Sequence, residues 1–135
     1  MVDRLESELR PQRAALHART FRQELLASNI ANADTPNYKA RDVDFKAAYE
    51  GALKGRSEGG LGMARTEPKH LPGEGNSPFA GALRYRSEYQ SAVDGNTVNM
   101  DIERAAFAEN AVQMEAMLTF INGRFRTMQA AIQGQ

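Results

Sequence analysis

Few side chains in this 135-residue sequence could perform acid–base chemistry or bind a metal at neutral pH. The two histidines, His17 and His70, each lack the cluster of acidic residues at ligand spacing that a metal site needs. Asp42 and Asp44 form the best carboxylate pair, and paired carboxylates can hydrolyse glycosides. No pocket is evident around this extended pair, so solvated or salt-bridged carboxylates are favoured. The sequence therefore predicts no catalytic, cofactor or metal site, and a protein that is not an enzyme.

Two further patterns resemble binding motifs without completing them. Gly59, Gly60 and Gly62 lack both the preceding buried strand and the Gly-Lys-Ser/Thr ending of a phosphate-binding loop. Residues 83–86, together with Tyr89, interleave basic and aromatic side chains as a nucleic-acid surface does, but the segment is short. A short β-strand is the simpler interpretation. We expect neither a nucleic acid nor a small-molecule substrate as a partner.

Charge and cysteine content exclude several classes of protein. The 17 basic residues balance the 17 acidic ones, so no net positive field attracts nucleic acid or an anionic membrane. The absence of cysteine excludes disulfides and thiolate metal sites. The N-terminus carries early acidic residues and no apolar signal-peptide core, and no later stretch approaches membrane-spanning length. If the protein works outside the cytoplasm, we expect export without a cleavable signal peptide.

Glycine and proline divide the chain into three parts. Residues 51–95 hold nine of the eleven glycines and three of the five prolines. This composition predicts a flexible or weakly structured middle, loop-rich with at most short β-strands. Residues 1–50 would contain an N-terminal helix, a turn and a short following segment, and residues 96–135 a C-terminal coiled-coil helix.

Apolar residues recur at helical spacing near both ends of the chain. The N-terminal stripe comprises Leu5, Leu9, Leu16, Phe21, Leu25, Leu26 and Ile30. The C-terminal stripe follows heptads, with Ala111, Leu118, Phe125 and Ile132 at a positions and Phe107, Met114, Ile121 and Met128 at d positions. Pro11 either kinks the first helix or marks a later start of its regular part. We predict a mainly α protein whose two long terminal helices pair as a coiled-coil hairpin.

The start of the C-terminal helix is marked by local signals. Asn99 can cap a helix whose opening turns carry Asp101 and Glu103, while Arg124 and Arg126 lie towards its other end. The apolar residues Ala106, Val112, Ala116 and Met117 widen the apolar surface beyond what a two-helix contact covers. Either the middle segment folds over this surplus or neighbouring subunits cover it.

The stretch SNIANADTPNYK predicts where the first helix ends. Thr35 and Pro36 stop a helix near Ala33 or Asp34, because the residue before a proline avoids the α region. Asn37 follows at a position suited to positive φ. The turn motif comprises Asn29, Asn32, Thr35, Pro36, Asn37 and Tyr38. Its first two asparagines share a face, and local capping of the helix end is favoured over a contact with another chain.

Both ends of the chain resemble one protein family. SNIANADTPNYKARDVDF is similar to the signature of the flagellar rod, hook and hook-associated proteins, and GNTVNMDIERAAFAENAVQMEAMLTFINGRFRTMQAAIQ is similar to their C-terminal helix. The short length, the DFKAAYEGAL continuation and residues 66–70 most resemble proximal rod proteins of the FlgB type. Asn37 stands where the family often has glycine.

The resemblance implies a structural subunit of the flagellar basal-body rod. Such a subunit assembles with copies of itself and other rod proteins into a helical drive shaft that transmits torque and forms part of the export channel. At the proximal end the implied partners are the MS ring and the export-gate junction. The implied location is the periplasmic rod, reached through the flagellar type III apparatus. Another rod subunit of the family and a soluble coiled-coil adaptor or chaperone are the alternatives.

Overall fold

The computed structural model describes residues 2–54, 79–87 and 93–134. Helix α1 spans Val2–Ala31, and strand β1, Arg41–Val43, leads into helix α2, Phe45–Lys54. A short 3-10 helix at Ala80–Ala82 is followed by strand β2, Leu83–Tyr85, and helix α3 spans Met100–Gln133. The protein is thus mainly α, as predicted. The proposed division at residues 50 and 95 stays a prediction, and α2 continues across residue 50.

The two long helices pack side by side and antiparallel. Arg124 of α3 lies 3.7 Å from the Glu8 carboxylate near the start of α1, and Glu103 contacts Asn29 near the other end. Pro11 lies within α1, so it does not mark the start of the helix. These contacts confirm the predicted pairing of the terminal helices.

The ends of the helices follow local sequence signals. At the start of α3, the Asn99 side chain accepts hydrogen bonds from the amides of Asp101 and Ile102 at 3.1 and 3.3 Å. The predicted N-cap is therefore confirmed, because this oxygen satisfies two amides that have no partner within the helix. Helix α1 ends at Ala31, two or three residues before the stop predicted near Ala33 or Asp34.

A two-stranded antiparallel hairpin connects the segments that precede and follow the middle of the chain. Asp42 of β1 pairs with Arg84 of β2, and the Arg86 amide donates to the Ala40 carbonyl at 3.0 Å. The short strand predicted at residues 83–86 is thus present. The strands place Asp42 next to Arg86, which matters for the charged cluster described below.

The hydrophobic core lies on one side of α1. Its buried members are Ala18, Leu25, Val43, Ala48, Phe79 and Ala82, which come from α1, β1, α2 and the 3-10 helix region. The rings of Phe21 and Phe79 stack with centroids 5.0 Å apart. None of these described core residues belongs to α3, so α3 packs on a different side of α1.

Candidate assembly interface

The turn motif forms a compact connection between α1 and β1. The Asn32 side chain donates to the Ser28 carbonyl at 2.8 Å, which is the local capping that its position favoured. Thr35 donates to the Asn32 side chain at 3.2 Å. Asn37 has a φ of 60°, as predicted from its place after Thr35 and Pro36.

Asn29 has a different role from the one favoured by its spacing. Its side chain is fully buried, and it pairs with both backbone groups of Arg41, donating to the carbonyl at 2.7 Å and accepting from the amide at 3.1 Å. It also donates to the Glu103 carboxylate at 3.1 Å and accepts from the Tyr38 hydroxyl at 3.3 Å. Asn29 therefore links α1 to the start of β1 and to α3, and it does not cap the helix locally.

Asn96 adds a second cap, from a distant part of the chain, to the carbonyls that follow α1. Its buried amide nitrogen lies 3.1, 2.6 and 3.0 Å from the carbonyl oxygens of Asn32, Ala33 and Thr35, which it serves as a shared donor. Sequence reasoning missed this residue, because it lies more than 60 positions from the carbonyls that it binds. The Asp94-Gly95 turn signal just before the predicted start of α3 was the available hint.

Two residues with positive φ meet at this junction. Gly95 has a φ of 73°, and a Cβ atom there would lie 2.6 Å from the side-chain oxygen of Asn37. The Asn37 amide donates to the Asp94 carbonyl at 2.9 Å, and the Thr97 amide donates to the Tyr38 carbonyl at 3.1 Å. The segment before α3 is therefore bound closely to the turn after α1.

A cluster of charges joins the hairpin to both long helices. Asp42 accepts from Arg22 at 3.0 Å and from Arg86 at 2.6 Å, and Arg86 also donates to Glu103 at 2.9 Å. Burial alone would raise the pKa of Asp42, but hydrogen bonds from the two guanidinium groups outweigh it and hold that pKa below its ordinary value. Asp42 is thus salt-bridged, as the sequence favoured, while Asp44 accepts from the Ala47 amide at the start of α2.

A second polar group lies at the middle of the contact between α1 and α3. The buried Asn110 side chain donates to Gln23 at 2.6 Å and to the Arg19 carbonyl at 3.0 Å. The Arg19 guanidinium binds Gln113 and lies 4.2 Å from the centre of the Phe45 ring. Burial is the main cause of the lowered pKa of Arg19. The pattern of apolar residues did not predict these partners.

The a and d residues of the predicted coiled-coil seam differ in burial. Its d residues Phe107, Met114, Ile121 and Met128 are half-buried. Of the a residues, Ala111 is half-buried, whereas Leu118, Phe125 and Ile132 are 44%, 45% and 87% exposed. The role of both sets in the helix pair and in assembly stays a prediction, although in this chain by itself most a residues are turned away from α1. The physical reason is that Glu103 and Asn110, one position before a in the heptad, face α1 instead.

The residues of the N-terminal apolar stripe also differ in burial. Leu25 and Leu26 are buried, and Leu25 belongs to the core beside α2. Leu9, Leu16, Phe21 and Ile30 are half-buried. Leu5 lies in α1, outside the residues whose side chains the structure describes.

Exposed apolar side chains remain along α3. We call Leu118, Phe125 and Ile132 the α3 apolar line. Phe120, which is 60% exposed, lies instead beside an open groove of about 440 Å³ that Leu9 and Met128 also line. Large apolar residues exposed together on one helix are typical of a surface that another molecule covers.

Within residues 2–54, 79–87 and 93–134, no group of three or more His, Cys, Asp or Glu side chains could hold a metal ion. None of the helices in these ranges is long and apolar enough to cross a membrane. His17 is exposed. His70, Tyr89, residues 66–70 and the three glycines at 59, 60 and 62 lie outside the described residues.

Known proteins match the chain over nearly its full length. A family model described as flagella basal body rod protein matches residues 9–39, which include most of α1 and the turn motif. The flagellar basal body rod protein FlgB of Proteus mirabilis strain HI4320 is 43% identical over 98% of both chains. FlgB of Salmonella typhimurium strain LT2 is 44% identical over 99% of both, and that of Escherichia coli K12 is 41% identical over 98% of both.

These matches confirm the family that the two ends of the sequence resemble. They cover the turn motif, α3 and the segments between them. The chain therefore belongs to the FlgB family of flagellar basal body rod proteins and is a structural subunit of the flagellar rod.

Proposed function

We propose that the chain is a proximal rod subunit that assembles through α1 and α3 with copies of itself and with other axial subunits. The observation that carries the proposal is the α3 apolar line, which is exposed in the isolated chain although it continues a heptad pattern. Apolar surface removed from water stabilises association by about 25 cal/mol per Å². Covering this line with neighbouring subunits would therefore lower the free energy of the assembled rod.

The electrostatics of the chain favour such an assembly. With 17 basic and 17 acidic residues, like subunits meet without net long-range repulsion. The charged cluster around Asp42 is paired within the chain, so its members need no partner on a neighbouring subunit. A continuous tube of such subunits would transmit torque and line part of the export channel.

The location and the remaining partners follow from the same proposal. The subunit would lie in the periplasmic rod, next to the MS ring and the export-gate junction, after export through the flagellar type III apparatus. It would act as a structural part and not as an enzyme. Membership of a basal body rod family and the exposed surface of α3 support this proposal together.

Replacing Leu118 with Asp tests the proposed surface. Because Leu118 is 44% exposed in the isolated chain, Leu118→Asp should lower the free energy of unfolding by less than about 1 kcal/mol. The same charge should abolish assembly, because burying it between subunits costs several kcal/mol. The measurements are urea unfolding of the purified chain, and motility and basal-body content of a strain that carries the variant as its sole copy.

Thr119→Asp is the matched control, because it adds the same charge at the adjacent exposed position, off the line. The control strain should swim, and its basal bodies should contain the chain. Detecting the Leu118→Asp protein outside the cytoplasm separates failed assembly from failed export. Normal motility of the Leu118→Asp strain, or a purified chain that forms a defined dimer with a single partner, would contradict the proposal and favour an adaptor.

A further inference from the structure

The fully buried side chains of α3 are polar. Across the described length of this helix, they are those of Glu103 and Asn110, which are 1% and 0% exposed. They are one heptad apart and lie on the same face, so both point towards α1. Apolar residues of α3 at the d positions around them are only half-buried.

Each of the two polar groups meets matching partners. Glu103 accepts from Asn29 at 3.1 Å through one oxygen and from Arg86 at 2.9 Å through the other. Asn110 donates to Gln23 at 2.6 Å, while Arg19 lies 3.5 Å from its oxygen. These buried groups therefore have hydrogen-bond partners when α3 has its present rotation about its own axis.

The apolar pattern of α3 fits a different rotation. One residue step around an α-helix corresponds to a rotation of roughly 100°. Rotating α3 about its axis by less than this step would move the α3 apolar line towards α1. Leu118 and Phe125 would then be buried within the chain. The same turn would separate Asn110 from Gln23 and Glu103 from Asn29, and it would leave buried polar groups without partners. The polar contacts and the apolar pattern thus favour opposite rotations.

We propose that Asn110 and Glu103 are positioning residues that select the rotation of α3 and keep the α3 apolar line on the outside. Buried polar residues in helix pairs are known to select register at some cost in stability. The rotation is a property of the isolated chain. Its consequence, that the line stays available to neighbouring subunits, rests on the proposed function.

The test replaces one polar pair by leucines in the full chain. Asn110→Leu combined with Gln23→Leu removes donor and acceptor together, so no unpaired group remains between them. The chain contains no cysteine, so introduced cysteines report without interference. A Gln113→Cys chain reports the present rotation, because Gln113 is half-buried, binds Arg19 of α1 and would leave α1 if the line turned inward. A separate Leu118→Cys chain reports exposure of the line through its rate of alkylation by a maleimide.

The double leucine variant should unfold at the same or a higher urea concentration. Alkylation at position 113 should become several-fold faster, and alkylation at position 118 should become several-fold slower. Asn122→Leu is the matched control, because it introduces the same side chain at an exposed position of α3. The control should leave both alkylation rates unchanged.

Unchanged alkylation at positions 113 and 118 in the double leucine variant would overturn the proposal. Failure of that variant to fold would overturn it as well, because the polar pair would then be needed for stability and not for the choice of rotation. These measurements use the isolated chain, whereas motility tests the proposed function. If the rotation changes as expected in the isolated chain but a strain carrying the double leucine variant still swims, the positioning role is supported. The proposed role of the α3 apolar line in assembly is then contradicted.

Discussion

At the scale of single residues, two positions with positive φ decide how the ends of the long helices meet. Asn37 adopts φ of 60° and Gly95 φ of 73°, and the Asn37 side chain occupies the space that a side chain at 95 would need. Glycine is required at 95 for both its conformation and its small size. Asparagine at 37 is accommodated because it tolerates the left-handed region better than most residues do.

Gly95→Ala should lower the free energy of unfolding by about 1–3 kcal/mol, because alanine is strained at this φ and its Cβ meets Asn37. Gly123→Ala is the matched control, since a Cβ there meets open space within a helix. It should raise the free energy of unfolding by about 0.5–1 kcal/mol. Urea denaturation followed by circular dichroism measures both. Equal effects of the two substitutions would contradict this account.

Asn96→Ala should lower the free energy of unfolding by about 1–3 kcal/mol, because three carbonyls at the end of α1 lose their shared donor. Thermal and urea unfolding of the purified chain measure the loss. Asn122→Ala, at an exposed position of α3, provides the comparison and should change stability by less than about 0.5 kcal/mol. A similarly small effect at Asn96 would show that its contacts do not stabilise the junction.

At the scale of elements, the charged cluster attaches the hairpin to α1 and α3. Asp42 belongs to β1, Arg22 to α1 and Glu103 to α3, and Arg86 directly after β2 connects the two carboxylates. The cluster thus combines residues from four segments. Breaking one ion pair within it should loosen more than one element, because each arginine and carboxylate has partners on different elements.

The stabilisation from Asp42 should depend on pH. Because the pKa of Asp42 is lowered in the folded chain, its contribution is complete above the ordinary value of 3.8 and is lost as the pH falls towards the folded value. At neutral pH, Asp42→Asn should therefore cost about 1–3 kcal/mol. Urea midpoints of both chains between about pH 7 and about pH 3 should converge at the acidic end. A constant difference across this range would contradict the assigned role of the carboxylate.

At the scale of the whole molecule, α1 separates two unlike contacts. Its core-facing side packs apolar residues against α2 and the hairpin, whereas its contact with α3 buries polar groups and leaves apolar residues half-exposed. The end of α3 is less covered still, since Ile132 is 87% exposed. The isolated chain should therefore be ordered around the core and less protected along the second half of α3.

Hydrogen exchange should show this difference directly. In the isolated chain, amides of residues 118–133 should exchange faster than those of residues 19–29, which lie between the core and α3. After incorporation into rods, residues 118–133 should become protected because subunits cover the α3 apolar line. Mass spectrometry of both states measures the change. A second half of α3 that is already fully protected in the isolated chain would contradict the proposed assembly surface.

Local sequence determined the existence and the limits of the main elements. Thr35 and Pro36 keep α1 from continuing past the turn, Asn99 begins α3, and heptad spacing predicts a long C-terminal helix, because these signals act through residues within a turn or two. The two ends of the chain also carried enough of the family pattern to indicate the rod proteins. For these features, the neighbouring residues were sufficient.

The tertiary structure alone decided which polar groups meet and which face of α3 turns inward. Asn29 finds Glu103 at a separation of 74 residues, Asn96 binds carbonyls 61 to 64 residues away, and Asn110 meets Arg19 across 91 residues. Apolar periodicity cannot predict such pairs, because it records where apolar residues lie and not which buried polar groups complement each other. A buried polar group left unpaired is costly, so these partners, and not the a and d pattern, decide the packing of the two helices.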